Sequence, residues 1–82
     1  KLNIKMDTNK IKEIIESTLS GSSAEVSGSE GKFSANIVFD GFEGLTTINR
    51  HKIVYSALDS YIKSGELHAI SLKTFTFKEN NS

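Results

Sequence analysis

Cysteine is absent from these 82 residues, and so is tryptophan. Without thiols the chain can form neither a disulfide nor a thiolate metal site. The soft metal-ligand side chains reduce to two histidines, His51 and His68, with a single methionine, Met6, near the start. An excess of charge of either sign is also missing, because ten basic side chains balance ten acidic ones. That balance argues against strong sequence-independent binding of nucleic acid, which needs a basic surplus to displace counterions. No apolar run approaches the ~20 residues of a membrane span, and no signal-peptide pattern is present. The expectation is a cytoplasmic protein with no membrane association. Catalytic motifs are missing too. There is no phosphate loop and no paired-carboxylate motif, and no serine or threonine sits in a local His–carboxylate arrangement. The chain is therefore not expected to be an enzyme.

What is present suffices for one small domain over residues 1–82, with 1–6 and 78–82 expected to be flexible. Hydrophobic residues make up only 37% of the chain, but they are clustered, so a core is expected from packing alone or with support from a partner. Charge is unevenly spread. Residues 7–31 carry Asp7, Glu13, Glu16, Glu25 and Glu30 against Lys10 and Lys12. Residues 46–78 carry Arg50, Lys52, Lys63, Lys73 and Lys78 against Asp59 and Glu66. A weak basic face on the C-terminal half follows.

Ile11, Ile14, Ile15 and Leu19 recur at helical spacing and predict a helix over 7–19, capped by Asp7 or Thr8 and stopped by Gly21. Residues 23–27 and 33–39 read as strands, the second alternating Phe33, Ala35, Ile37 and Phe39 with polar neighbours. Gly28 to Lys32 forms the hairpin loop between them, and Gly41-Phe42-Glu43-Gly44 breaks the chain. Residues 47–63 read as the strongest helix, with Ile53/Val54, Ala57/Leu58 and Tyr61/Ile62 as its apolar stripe. A threonine at 46 or 47 can cap it and Gly65 can end it. Residues 68–76 read as a third strand, and the tail from Lys78 reads as frayed. The order α-β-β-α-β predicts a two-layer α+β domain with a three-stranded mixed sheet. Both helices cover one face, and the last strand runs parallel to one hairpin strand.

Four places could carry chemistry. His68 opens the third strand on the face that also carries Ile70 and Leu72. It is either a half-buried structural histidine or an exposed imidazole ligating a metal that another molecule must help to hold. His51 lies early in the second helix between Arg50 and Lys52, either as a solvated residue or as part of a contact to phosphate or an acidic partner. Gly41-Phe42-Glu43-Gly44 is a literal GxxG before a helix, the pattern by which KH domains bring backbone amides to a nucleic-acid backbone. Asp40 and Glu43 put negative charge where phosphate would lie, so the competing reading is a plain strand-to-helix turn. In the hairpin loop, Glu30 is a hard oxygen donor and Lys32 offers only an ammonium.

The phrases Val26-Ser27-Gly28, Phe42-Glu43-Gly44, Asn49-Arg50-His51-Lys52 with Val54-Tyr55, and His68-Ala69-Ile70-Ser71-Leu72 leading into Thr76-Phe77-Lys78-Glu79 occur in order and at a family's spacing. In them the chain resembles the BolA family, from about Val26 to Glu79. The resemblance implies a fold similar to a class II KH module and a non-enzymatic partner of monothiol CGFS glutaredoxins. Such pairs bridge a 2Fe–2S cluster with thiolates from glutaredoxin and glutathione and an imidazole from the position of His68, so no cluster is held by this chain alone. Family members are also described as DNA-binding transcriptional regulators linked to stress response. This sequence departs in two places. Gly31-Lys32-Phe33 stands where a Ser-His-Phe phrase would supply a second ligand, which leaves Glu30, a thiol from solution or water to fill the place, or a glutaredoxin complex without a cluster. Phe77 stands where many members carry proline. Arg50, His51 and Lys52, with the turn Gly41, Phe42, Glu43 and Gly44, are the expected partner or nucleic-acid surface. The expected oligomeric state is a monomer or weak homodimer.

Overall fold

A computed structural model describes residues 6–29 and 32–81. The first helix, α1 (Thr8–Thr18), begins where the Asp7 carboxylate accepts a hydrogen bond from the Lys10 amide at 2.8 Å, so one of the helix's unpaired amides is satisfied. Strands β1 (Ser23–Ser29) and β2 (Lys32–Val38) form an antiparallel hairpin with Ala24 opposite Ile37 and Gly28 opposite Phe33. Gly28 is required there. Its φ of +121° is a conformation that side chains rarely adopt, and a Cβ would run into the Lys32 and Phe33 backbone.

A short 3-10 turn (Asp40–Phe42) leads to α2 (Thr47–Lys63). The helix is capped by Thr46, whose hydroxyl accepts from the Asn49 amide at 3.2 Å. Strand β3 (Ala69–Phe75) then returns beside β2, parallel to it, with Lys32 opposite Ala69 and Val38 opposite Phe75. The sheet order is β1-β2-β3, so the strand expected to run parallel to a hairpin strand pairs with the second one.

The period-two pattern of β2 dictates where the core lies. Phe33, Ala35 and Ile37 are buried, whereas Lys32, Ser34 and Asn36 are exposed. Ile11 and Ile15 of α1 and Val54 and Leu58 of α2 are fully buried against that one face, and Met6, Leu19, Ala24, Phe42, Leu67 and Leu72 belong to the same cluster. The protein is thus a two-layer α+β domain.

Both ends depart from expectation. Met6 is 7% exposed and belongs to the core. The tail expected to fray from Lys78 folds instead into a helical turn, α3 (Phe77–Asn80). The reason is chemical. The Thr76 hydroxyl accepts from the Glu79 amide, and the Glu79 carboxylate accepts from the Thr76 amide, a reciprocal capping box. Residues 1–5 lie outside the described residues.

One edge of the sheet is bridged at Ala24 by side chains. The Lys12 ammonium donates to the Ala24 carbonyl at 2.8 Å, and a Glu16 carboxylate oxygen accepts from the Ala24 amide at 2.9 Å. The pair, itself 2.7 Å apart, supplies β1 with the donor and acceptor that another strand would offer, which blunts the edge against pairing with a second chain.

Candidate functional site: an exposed imidazole beside an apolar groove

After α2 the chain is pinned before it is released. The Leu67 amide donates to the Tyr61 carbonyl at 3.1 Å and the Leu67 side chain is buried. The next residue, His68, is consequently turned outward and is exposed. It precedes β3 rather than opening it, and its residue-parity partners along the strand, Ile70 and Leu72, sink progressively into the core. No hydrogen bond or ion pair holds its imidazole among the described residues. The half-buried structural histidine of the alternative reading is therefore not what the fold presents.

His68 lines a shallow groove of about 240 Å³ with Tyr55, Ile62, Leu67, Ala69 and Ile70. Tyr55 fixes its wall. The phenol donates to the Ile70 carbonyl at 3.3 Å, and the ring meets His51 edge-on at a centroid distance of 6.4 Å. Tyr55 thereby stands between the two histidines. The apolar spacing puts Ile62 in the core stripe and gives Tyr55 no role, yet both stay more than a third exposed. The signal that could have found them is an apolar pair at a seven-residue interval on the solvent side of α2.

The remaining predicted residues gather elsewhere. Arg50 lies one turn into α2, but its guanidinium folds back. Nε donates to the Leu45 carbonyl at 3.0 Å, Nη1 reaches the Thr74 carbonyl at 3.4 Å, and Nη1 and Nη2 grip the two Glu79 oxygens at 2.7 and 3.0 Å. Its side chain is 12% exposed and stacks 5.8 Å from the centre of the Phe42 ring. The hydrogen bonds from Arg50 and from the Thr76 amide hold the Glu79 carboxyl at about 2, well below the usual carboxylate range.

Phe42 is fully buried and packs edge-on against Phe39, so its side chain is part of no surface. Gly41 sits where a Cβ would enter the Phe39 ring. The amides of Phe42, Glu43 and Leu45 donate to the Phe39, Asp40 and Phe42 carbonyls, and Asp40 accepts from the Phe77 amide at 3.2 Å. Two of the turn's four amides, those of Phe42 and Glu43, are thus spent within the chain, and Gly44 supplies its left-handed bend. Lys52 is exposed and His51 half-buried. The Arg50 cluster, at Thr74, and His68 sit at opposite ends of β3, about 20 Å apart along the strand at ~3.3 Å per residue.

Glu30 lies outside the described residues. Among the described residues, no group of three histidine, cysteine, aspartate or glutamate side chains could hold a metal ion. His68 offers one accessible nitrogen donor, and one donor fits a shared site only. Nor is any helix among them long and apolar enough to cross a membrane.

Comparison with known proteins agrees with this architecture. A bolA protein homologue from Coxiella burnetii superposes with a TM-score of 0.86 and 40% identity, covering 94% of this chain and 99% of the other. An uncharacterized protein of the rpoN-murA intergenic region of Acinetobacter guillouiae is 38% identical over 74 residues, 90% of this chain and 89% of the relative. The acid stress protein IbaG of Escherichia coli K12 is 31% identical over 71 residues, 87% of this chain and 84% of the relative. Over a shorter stretch of 52 residues, 63% of this chain and 49% of the relative, this chain is 42% identical to the DNA-binding transcriptional regulator BolA of the same organism. The family model described as BolA-like protein matches residues 2–79. The chain belongs to the BolA-like family.

Proposed function

We propose that this protein is a non-enzymatic, cytoplasmic adaptor that docks a monothiol CGFS glutaredoxin and takes part in trafficking of a 2Fe–2S cluster, with His68 as the one ligand it contributes. The observation that carries the reading is the exposed, uncommitted imidazole at the rim of an apolar groove. An apolar wall with one convergent polar group is what a docking site requires, and Tyr55 holds that wall in place before any partner arrives. With no thiol in the chain, the sulfur ligands come from glutaredoxin and glutathione. An imidazole in place of a thiolate raises a cluster's potential. It also binds only as the free base, so acid competes for the ligand. Both properties suit transfer or sensing.

The test is to mix the protein with a CGFS glutaredoxin, glutathione, iron and sulfide, and to record visible absorption and circular dichroism. A signature that depends on this protein and changes in His68→Ala is expected. A spectrum indifferent to His68→Ala would overturn the ligand assignment.

A nucleic-acid role rests on the name of one relative and on the GxxG turn. Arg50 is occupied by Glu79, and Asp40 and Glu43 place negative charge at that turn. Lys52 remains as an exposed cation. DNA affinity that falls steeply with salt and is lost in Lys52→Ala would favour this second reading.

A further inference from the structure

Ile48, Tyr55 and Ile62 are three of the four large apolar side chains that stay exposed among the described residues, at 68%, 39% and 37%. They recur every seven residues, two helical turns, so they form one line about 21 Å long on the outer side of α2 at 1.5 Å per residue. The charges beside that line are ordered. Lys52 precedes Tyr55 and Asp59 follows it, and both line a depression against Tyr55 and Ser56.

We infer that this stripe is the interface between two copies of the chain, with their α2 helices antiparallel about a two-fold axis that passes between Tyr55 and Ser56. A two-fold contact must be self-complementary, so that what one copy offers the other receives. The stripe meets that condition. Antiparallel pairing sets Ile48 of each copy near Ile62 of the other and brings the two Tyr55 rings together at the axis. It also sets Lys52 of each copy against Asp59 of the other. Asp59 meets Lys63 of its own helix at 3.0 Å, but both are exposed, and such pairs exchange readily. Tyr55 is already anchored by its bond to Ile70 and its contact with His51, so little freedom is lost on association. A second copy fits better than an unrelated helix because spacing and charge reverse about centres only half a residue apart.

One helix seam buries less than the ~1,200 Å² of a stable interface, so the dimer is weak and its population follows concentration. It also covers Tyr55 and Ile62, two walls of the groove beside His68. If the docking reading above holds, self-association and partner docking exclude each other, although the dimer itself does not depend on that reading.

Sedimentation velocity from micromolar to about 1 mM chain is expected to show a reversible rise from monomer toward dimer mass. Ile48→Ser, outside the groove and compatible with the first turn of a helix, should weaken dimerisation about tenfold. Lys52→Glu and Asp59→Lys should each weaken it, and the double exchange should restore it. Because the chain has no cysteine, Ser56→Cys, which flanks the axis, should be joined to its mate by a short bifunctional maleimide, whereas Ser34→Cys on the open sheet face should not. A monomer mass at every concentration overturns the proposal. So does a dimer unaffected by Ile48→Ser, or one that Ser56→Cys fails to crosslink. Glutaredoxin binding that proceeds equally with the crosslinked Ser56→Cys dimer would remove only the competition, leaving the interface standing.

Discussion

Arg50 grips both carboxylate oxygens of Glu79 and so ties the start of α2 to the last turn of the chain. The same guanidinium bonds the Leu45 and Thr74 carbonyls and lies over Phe42. One side chain therefore joins the turn before α2, the end of β3 and the C-terminal turn.

This clamp predicts an acid dependence. The Glu79 carboxyl is held at about 2 against an ordinary 4.5. A carboxyl whose value is depressed on folding favours the folded state when ionised, so its contribution is complete above about pH 4.5 and is lost as pH falls toward 2. Glu79→Gln should lower stability at neutral pH and flatten its decline between those limits. Denaturant unfolding at a series of pH values measures this. A variant whose pH profile parallels the parent's would show that the clamp is not the source.

Removing the ligand candidate should not harm the fold. His68 is exposed and makes no hydrogen bond or ion pair among the described residues, so His68→Ala should shift unfolding free energy by less than about 0.5 kcal/mol. Its effect should be confined to the spectrum of the mixed complex. A large loss of stability would instead return His68 to a structural role.

The core should respond in the opposite way. Leu58 of α2 is fully buried against the sheet, and Leu58→Ala leaves a cavity that the neighbours only partly fill. A loss of about 2–5 kcal/mol is expected from chemical denaturation. In a domain this small, that is a large share of the total.

The Lys12–Glu16 clamp predicts a local effect with a small global one. Glu16→Ala frees the Ala24 amide, so hydrogen exchange at Ala24 should quicken markedly while overall stability changes by less than about 1 kcal/mol. Unchanged exchange at Ala24 would show that the edge is protected by something else. The Lys12 ammonium and the Ala24 amide also keep the Glu16 carboxyl below its ordinary range, so the protection should persist into mild acid.

Element types were legible because period is a local property. Four-residue apolar steps marked α2 over the span observed, and the alternation of Phe33, Ala35 and Ile37 marked the buried face of β2. Boundaries moved by a residue or so elsewhere, as at Asp7, which caps α1 from just outside it. The last turn was missed because Thr76 and Glu79 are polar and leave no apolar period, yet their capping box is visible as Thr-x-x-Glu. The site was half legible. His68 stood out by ligand chemistry and by the BolA-like phrases around it. The partners that define its groove did not, because Tyr55 and Ile62 lie apart from it in sequence.

By itself, then, the sequence determined the α-β-β-α-β order, the family, and the need for outside sulfur in any cluster chemistry, since these follow from local spacing, ordered motifs and the absence of cysteine. Only the tertiary structure decided what Arg50 and His68 are free to do. Arg50 looked like a surface cation beside His51 and Lys52, but the return of the chain after β3 brings Glu79 to it and occupies its guanidinium. His68 looked capable of burial with Ile70 and Leu72, but the anchoring of Leu67 on Tyr61 turns it out beside the groove. Whether a polar group is spent or available depends on which distant residues reach it, and that is a property of the folded chain.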